Sequence, residues 1–212
     1  MPVVTISRLF GSGGAEVARR VADTLGWTLL DNSVVDAVAD RLGVPAAEVS
    51  SREERVPSVV ERVTRALTLA TPQWTPAVSE DRDPDEADII RVTERVIDEA
   101  VQHGPCVVVG RGAQCLLAER EDALHVLCHA PTAALVRRVV ERTGATPAEA
   151  ERQVAEINRQ REHYVRRHWR REWLSARVYH LCVDTEWLGV EGAAETVVRL
   201  ARERLGDLKR ET

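Results

Sequence analysis

The residues best suited to chemistry form a glycine-rich loop near the N-terminus, with the sequence Arg8-Leu-Phe-Gly-Ser-Gly-Gly-Ala-Glu16. The loop follows a short apolar run and precedes a segment with helical spacing. Backbone amides in such a loop, together with a helix N-terminus, form a cradle for anions. The predicted phosphate-binding residues are Gly11, Ser12, Gly13, Gly14, Ala15 and Glu16.

The loop departs from the full P-loop pattern GxxxxGK[ST] at its two chemically active positions. When Gly13 is aligned with the second glycine, Gly14 stands where the lysine reaches the outer phosphates. Ala15 and Glu16 stand where a hydroxyl would bind magnesium. A glycine cluster between a strand and a helix is also compatible with a simple tight turn. The position of this loop favours phosphate binding, because open α/β sheets bind ligands at the carboxyl ends of their strands.

Arginines are expected to supply the charge that the missing lysine would carry. The chain has a single lysine, Lys209, close to the C-terminus. Arg8 precedes the first loop glycine by three residues and is predicted to hold phosphate, because a guanidinium fork can bind two phosphate oxygens. The alternative is an exposed arginine paired with a carboxylate. Arg111 follows the apolar run CVVVG and is predicted to contact a phosphate at the same sheet edge.

A third group of arginines occupies a helical stretch together with Tyr164, Trp169 and Trp173. Its members are Arg159, Arg161, Arg166, Arg167, Arg170 and Arg171. A basic helix is most often a solvated face. Aromatic rings among arginines are also compatible with nucleic-acid stacking. The net charge of −5 argues against a general nucleic-acid binder.

Apolar and β-branched runs alternate with helical patterns along the chain, which predicts a βαβ architecture. Strands are predicted at residues 3–7, 27–31, 106–110, 124–130 and 180–185. Helices are predicted at 15–26, 33–43, 89–103, 189–205 and, with a break near 144–147, from 132 to about 175. Residues 45–71 look helical in two pieces, and the proline- and acid-rich stretch 71–88 is predicted to be an exposed excursion. The expected fold is a three-layer α/β/α sandwich with about five parallel strands.

Composition sets the broad class of protein. The 212 residues suit a single domain, and the absence of an 18-residue apolar run predicts no membrane span. The N-terminus lacks a signal-peptide pattern, and four cysteines without metal-ligand spacing are expected to be reduced thiols. These features favour a cytoplasmic protein. Apolar residues such as Leu135 and the stretch 59–69 are compatible with either a core or a homodimer interface.

Several segments in order resemble the cytidylate kinase-like family. They are VTISRLFGSGGAEVARRVADTLGW, LLD, GPCVVVGRGAQCLL, HAP, NRQREHYV and YHLCVDTEWLGVEGA. The resemblance covers nearly the whole chain apart from residues 74–88. It implies a P-loop NTPase-like fold and transfer of a phosphoryl group from ATP, with Mg²⁺, to a nucleoside monophosphate such as CMP or dCMP. The loop of that family also lacks the lysine.

The resemblance also implies roles for individual residues. Arg8, Arg159 and Arg161 are then catalytic, the last two on an arginine-rich helical lid at about 140–175. Asp31 and Arg111 are then substrate-binding. Gly112 departs from the acidic residue of the related Gly-Arg-Asp motif, which weakens the case for cytosine.

The resemblance further implies how the single domain is divided. Its core comprises residues 1–43, 89–131 and 180–205, and a helical insertion on the acceptor side spans about 45–88.

The candidate magnesium ligands are Ser12, Glu16 and Asp31, and the sequence does not decide among them. Asp184 and Thr185 either contact adenine or ribose or simply form a turn.

Two other functions remain open at this point. A nucleotide-binding sensor without catalysis is compatible with Gly14 and Glu16 at the active positions of the loop. A kinase of a small molecule other than a nucleotide is compatible with the lost acid at Gly112.

Overall fold

The computed structural model describes residues 1–31 and 86–206, apart from the side chains of residues 86–90 and 92. The strands are β1 (Val3–Arg8), β2 (Thr28–Leu30), β3 (Cys106–Val109), β4 (Ala123–His129) and β5 (Leu181–Asp184). The helices are α1 (Gly14–Leu25), α2 (Glu86–His103), α3 (Ala113–Leu116), α4 (Thr132–Thr143), α5 (Pro147–Trp169) and α6 (Gly189–Leu205), with a 3-10 turn at Ala176–Val178. The helix predicted at 33–43 and the insertion predicted at about 45–88, apart from its last three residues, lie outside the described residues.

The five strands form one parallel sheet in the order β2-β3-β1-β4-β5. The predicted parallel α/β sheet is therefore confirmed. Strand β1 is the middle strand, whereas the strongly apolar β3 lies between β1 and β2 with all four residues buried. Because every strand points the same way, the ends of β1, β3, β4 and β5 meet at one edge of the sheet. That edge positions the glycine-rich loop after β1 and Arg111 after β3.

Helices cover both faces of the sheet, which gives the three predicted layers. On one face, α1 and α6 bury Val17, Val21 and Val197 against Val4 and Ile6 of β1. Successive side chains along β1 point to opposite faces of the sheet, so β1 contributes to a separate core on each face.

On the opposite face, α2 and α3 bury Ile97, Val101 and Ala113 beside Val3. Leu135 is buried in a smaller cluster between α4 and α5 and so belongs to the core.

Two helix boundaries differ from the prediction by more than one residue. Helix α2 begins at Glu86, inside the stretch expected to be an exposed excursion. Helix α5 ends at Trp169 rather than near residue 175, because Arg170 adopts a left-handed conformation with φ of 53° that a helix cannot continue. The predicted break before α5 is real: Gly144 caps α4, and Thr146 with Glu149 forms a capping box at the start of α5.

None of the helices within residues 1–31 and 86–206 is long and apolar enough to cross a membrane. The division of the chain into one core, an insertion and a lid stays a prediction.

Candidate functional site

The glycine-rich loop is a tight backbone turn between β1 and α1. The Ser12 amide donates to the Leu9 carbonyl at 3.1 Å, and Gly13 caps the start of α1. Gly11 and Gly13 have φ of 85° and 75°, a region that favours glycine. A Cβ on Gly11 would also lie 2.7 Å from the Leu135 carbonyl oxygen. Glycine is therefore required here by both conformation and space.

Most amides of the loop remain available to a ligand. Among the described residues, no acceptor contacts the backbone N–H groups of Gly11, Gly13, Gly14, Ala15 or Glu16. The neighbouring amide of Phe10 is already used, since it donates to Asn158 Oδ1 on α5 at 2.8 Å. The Ser12 amide, predicted to hold phosphate, is therefore engaged within the turn, whereas the other five predicted amides have no acceptor in the described residues.

Arg8 fills the space that the loop glycines leave. A Cβ on Gly14 would overlap the Arg8 Cβ, and a Cβ on Gly110 would overlap the Arg8 guanidinium. The Arg8 side chain thus runs from the start of α1 to the end of β3. Burial, followed by repulsion from Arg111, lowers the pKa of Arg8 to about 10. Gly14 stands at the position of the lysine and makes room for a different cation.

Arg161 joins this cation from α5. Its Nη1 atom donates to the Arg8 carbonyl oxygen at 2.7 Å. Its Cζ atom lies 5.9 Å from the centre of the Phe10 ring, and that of Arg142 lies 5.0 Å from the same ring. Burial, then repulsion from Arg8 and Arg142, lowers the pKa of Arg161 to about 9.

We call Arg8, Arg111, Arg142 and Arg161 the arginine cluster. Their mutual repulsion favours the binding of an anion, because an anion would restore the balance of charge. The carboxylate of Asp31 is close enough to raise the pKa of Arg8, although less strongly than burial lowers it. Asp31 thus lies near the cluster at the end of β2.

Arg159 points away from this cluster. Its side chain is 75% exposed and forms an ion pair with Glu156 on the same helix. Residues two positions apart on a helix differ by about 200° in direction, so Arg159 and Arg161 face opposite sides. The described geometry favours Arg161 for a role at the loop, and the role of Arg159 stays a prediction.

The loop after β3 brings Arg111 to the same sheet edge with an unusual neighbour. Arg111 has φ of 54°, and the adjacent Gly112 has φ of 68°. The Trp169 ring, at the end of α5, occupies the space that any side chain on Gly112 would need. No acidic residue fits at position 112 while Trp169 stays in place.

Two of the three candidate magnesium ligands, Glu16 and Ser12, lie in different settings. Glu16 pairs with Arg19 at 2.6 Å and Arg20 at 3.1 Å along α1. Ser12 is fully buried, and its Oγ has no hydrogen-bond partner among the described residues. No group of three or more acidic, histidine or cysteine side chains suited to a metal lies in the described part of the chain.

The predicted site did not include Asn158, Phe10 and Arg138, all of which contact or support the loop. Arg138 donates to the Ser12 carbonyl oxygen at 3.3 Å and to Thr185 Oγ1 at 3.0 Å. A helical pattern marks Arg138 as a polar residue of α4 but carries no sign of its partner across the sheet edge. Asp184 contributes to a turn, because its Oδ1 accepts from the Glu186 amide at 2.8 Å. A contact of Asp184 with adenine or ribose stays a prediction.

Comparison with known proteins agrees with this architecture. The sequence profile described as "Cytidylate kinase-like family" matches residues 3–187. No curated protein matches the chain. An uncharacterized protein from Eubacterium ventriosum has a TM-score of 0.71 at 18% identity, covering 96% of this chain and 100% of its own.

Two further solved structures share the fold more distantly. TT1252 from Thermus thermophilus has a TM-score of 0.52 at 19% identity, covering 96% of this chain and 97% of its own. Shikimate kinase from Bacteroides thetaiotaomicron has a TM-score of 0.51 at 12% identity, covering 94% and 97%. These likenesses show that the five-stranded parallel sheet with its helices is a fold shared with those three proteins.

Proposed function

The chain belongs to the cytidylate kinase-like family, and on that premise we propose that it transfers the γ-phosphoryl group of ATP to a small-molecule acceptor. A nucleoside monophosphate is the proposed acceptor, with CMP and dCMP as the first to test. The observation that carries the proposal is the set of open amides at residues 11 and 13–16 beside the arginine cluster.

The polyphosphate of ATP would accept hydrogen bonds from those amides. Arg8 and Arg161 would then balance the charge on the outer phosphate oxygens. Phosphoryl transfer depends mainly on positioning and charge stabilisation. An acceptor oxygen forms a bond to the γ-phosphorus while the bond to the oxygen of departing ADP breaks. Guanidinium groups held by burial in a fixed place suit this task, because little reorganisation accompanies the transfer.

Magnesium would enter this site on the phosphates rather than in a protein cage. Mg²⁺ keeps several waters and commonly binds one or two carboxylates plus phosphate oxygens. Asp31 lies near Arg8 and offers a carboxylate, whereas Glu16 is engaged with two arginines of α1. Ser12 Oγ offers a buried hydroxyl without a partner in the described residues. When bound, the ion would neutralise developing charge.

Arg111 and Asp31 are proposed to hold the acceptor. Both follow strands that end at the same sheet edge as Arg8, so a monophosphate bound there would face the γ-phosphate. Arg159 is also proposed as a catalytic residue. Its side chain is exposed, so it would have to move to reach the glycine-rich loop.

An assay of ADP release, coupled to NADH oxidation and run with each nucleoside monophosphate, tests the proposal. Turnover with one monophosphate above the ATP-only background is expected. Tight ATP binding without turnover on any acceptor would refute the kinase and favour a nucleotide sensor.

A second candidate is a kinase whose acceptor is not a nucleotide. The Trp169 ring against Gly112 favours this candidate, because it leaves no room for an acidic side chain at position 112. In the Gly-Arg-Asp motif of related kinases, the acidic residue at this position helps to contact the acceptor nucleotide. A thermal-shift screen separates the two acceptors. Stabilisation by a phosphorylatable metabolite, and by no monophosphate, would support the second candidate.

A further inference from the structure

Thr185, just after β5, and Arg138, on α4, make a hydrogen-bonded clamp on the glycine-rich loop. Thr185 is fully buried, and its Oγ1 atom donates to the Ser12 carbonyl oxygen at 2.6 Å. Arg138 Nη1 donates to the same carbonyl at 3.3 Å and to Thr185 Oγ1 at 3.0 Å. Arg138 Nη2 donates to the Thr185 carbonyl oxygen at 2.9 Å. The Ser12 carbonyl is thus fixed from two sides.

Fixing this carbonyl also fixes an amide. The Ser12 carbonyl and the Gly13 N–H belong to one planar peptide group, in which a trans bond makes the two point in opposite directions. The carbonyl points toward Thr185, so the Gly13 N–H points away from it. That N–H is one of the amides without an acceptor in the described residues.

We infer that Thr185 and Arg138 are positioning residues that hold the Gly13 N–H toward the phosphates. This inference rests on the proposed function and adds to it two residues that contact no reacting atom. Gly13 has a left-handed conformation with φ of 75° and ψ of 8°, which glycine leaves easily. Without the clamp, the peptide is free to rotate and turn a carbonyl oxygen toward the bound anion.

The chain offers matched controls for both residues. Thr196 Oγ1 donates to the Gly192 carbonyl at 2.7 Å within α6, so Thr196→Val removes a similar hydroxyl from a helix. Arg137 contacts Glu186 at 2.8 Å, as Arg138 does at 2.9 Å. No hydrogen bond joins Arg137 to Ser12 or Thr185 in the described chain, so Arg137→Met removes the ion pairs with Glu186 and Glu141 but no contact with the loop.

Calorimetry with inorganic tripolyphosphate and with ATP measures the effect on the full chain. Thr185→Val and Arg138→Met are each expected to raise Kd for both ligands about 10- to 100-fold. This is the effect expected when the Gly13 N–H loses its hydrogen bond to a charged phosphate. Thr185→Ser keeps the hydroxyl, so its affinity is expected to stay within about threefold of that of the wild type. Thr196→Val and Arg137→Met are expected to bind both ligands as the wild type does.

The amide signal of Gly13 in ¹⁵N-edited NMR separates positioning from simple stability. On addition of tripolyphosphate the signal is expected to shift downfield in the wild type and to stay in place in Thr185→Val. A Thr185→Val protein that melts earlier but binds tripolyphosphate as tightly as the wild type would overturn the inference. If Thr185→Val fails to fold, the Arg138→Met and Arg137→Met pair decides, and equal affinities overturn it.

Failure of the proposed function gives a different pattern. When the wild type binds neither ATP nor tripolyphosphate, both proposals fall. ATP binding without turnover refutes the kinase alone, and the affinities of the variants then still decide the positioning role. Wild-type binding with no effect of the clamp variants overturns only the positioning role.

Discussion

The Nη1 atom of Arg161 lies 2.7 Å from the carbonyl oxygen of Arg8 and donates a hydrogen bond to it. This contact joins the end of the middle strand to helix α5 across 153 residues of sequence. It places two guanidinium groups beside one loop although each repels the other. Such an arrangement is unfavourable without an anion, which is why the pair points to a ligand.

Replacing Arg161 should weaken nucleotide binding. Arg161→Ala is expected to raise Kd for ATP about 10- to 100-fold, because a charged hydrogen-bond donor is lost. Arg166→Ala is the matched control, since Arg166 lies on the same helix and pairs with Glu162 at 2.6 Å. Arg159→Ala is expected to have a smaller effect than Arg161→Ala. Calorimetry measures all three, and equal affinities for Arg161→Ala and Arg166→Ala would remove Arg161 from the site.

A side chain at Gly14, where a standard P-loop has its lysine, should destabilise the folded protein. Gly14→Ala places a methyl group against the Arg8 Cβ and at 3.1 Å from the Cys128 Cβ. Overpacking of this kind destabilises by about 1–3 kcal/mol. Urea unfolding of Gly14→Ala, Arg8→Gly and the double variant gives the coupling between the two positions.

The double variant of that cycle should recover part of the lost stability, since Arg8→Gly removes the overlapping Cβ. Additive effects would show that Arg8 does not occupy this space. Gly104→Ala serves as the control, because a Cβ there meets no atom within 4 Å in the described chain.

A side chain on Gly112 should displace Trp169. Gly112→Ala is expected to destabilise the fold by about 1–3 kcal/mol, from overlap with the indole and from strain at a φ of 68°. The variant should also expose Trp169 and move the tryptophan emission to longer wavelength. An unchanged spectrum and unchanged urea midpoint would contradict the contact.

Acid should destabilise the protein through His125. Burial, then repulsion from His180, lowers the pKa of His125 from 6.5 to about 4. The unfolded chain therefore binds a proton that the folded chain does not, and stability falls as pH drops from about 6.5 to about 4. The groups that bear on this ring include His180, stacked at 4.9 Å, Thr5, bonded to its Nδ1 at 2.8 Å, and the charge of Arg171.

Thermal melting of the wild type and of His125→Asn between pH 7 and pH 4.5 measures this contribution. The asparagine cannot take up a proton, so its melting temperature should fall less steeply. Parallel slopes for the two proteins would assign the acid sensitivity to other groups.

Local pattern was enough to predict the fold. The apolar run 3–7 and the helical spacing after Gly14 each depend on neighbours within one turn or strand, and both elements formed where expected. The end of α5 was misplaced because Arg170 leaves the helical region, which its residue type does not indicate.

The candidate site was predictable only in part. Arg8 and the loop glycines are adjacent in sequence, and their pattern carries a mechanism. Arg138 and Asn158 reach the loop from α4 and α5 through contacts 126 and 148 residues away. Only the packing of those helices brings such side chains to the sheet edge, so the sequence pattern around them gave no sign of it.

A crystal structure with a non-hydrolysable ATP analogue and magnesium would show whether the glycine-rich loop holds the phosphates of the nucleotide. Phosphate oxygens are expected within hydrogen-bond distance of the Gly11, Gly13 and Gly14 amides, with Arg8 and Arg161 on the outer phosphates. A nucleotide bound elsewhere, with those amides still without an acceptor, would contradict it.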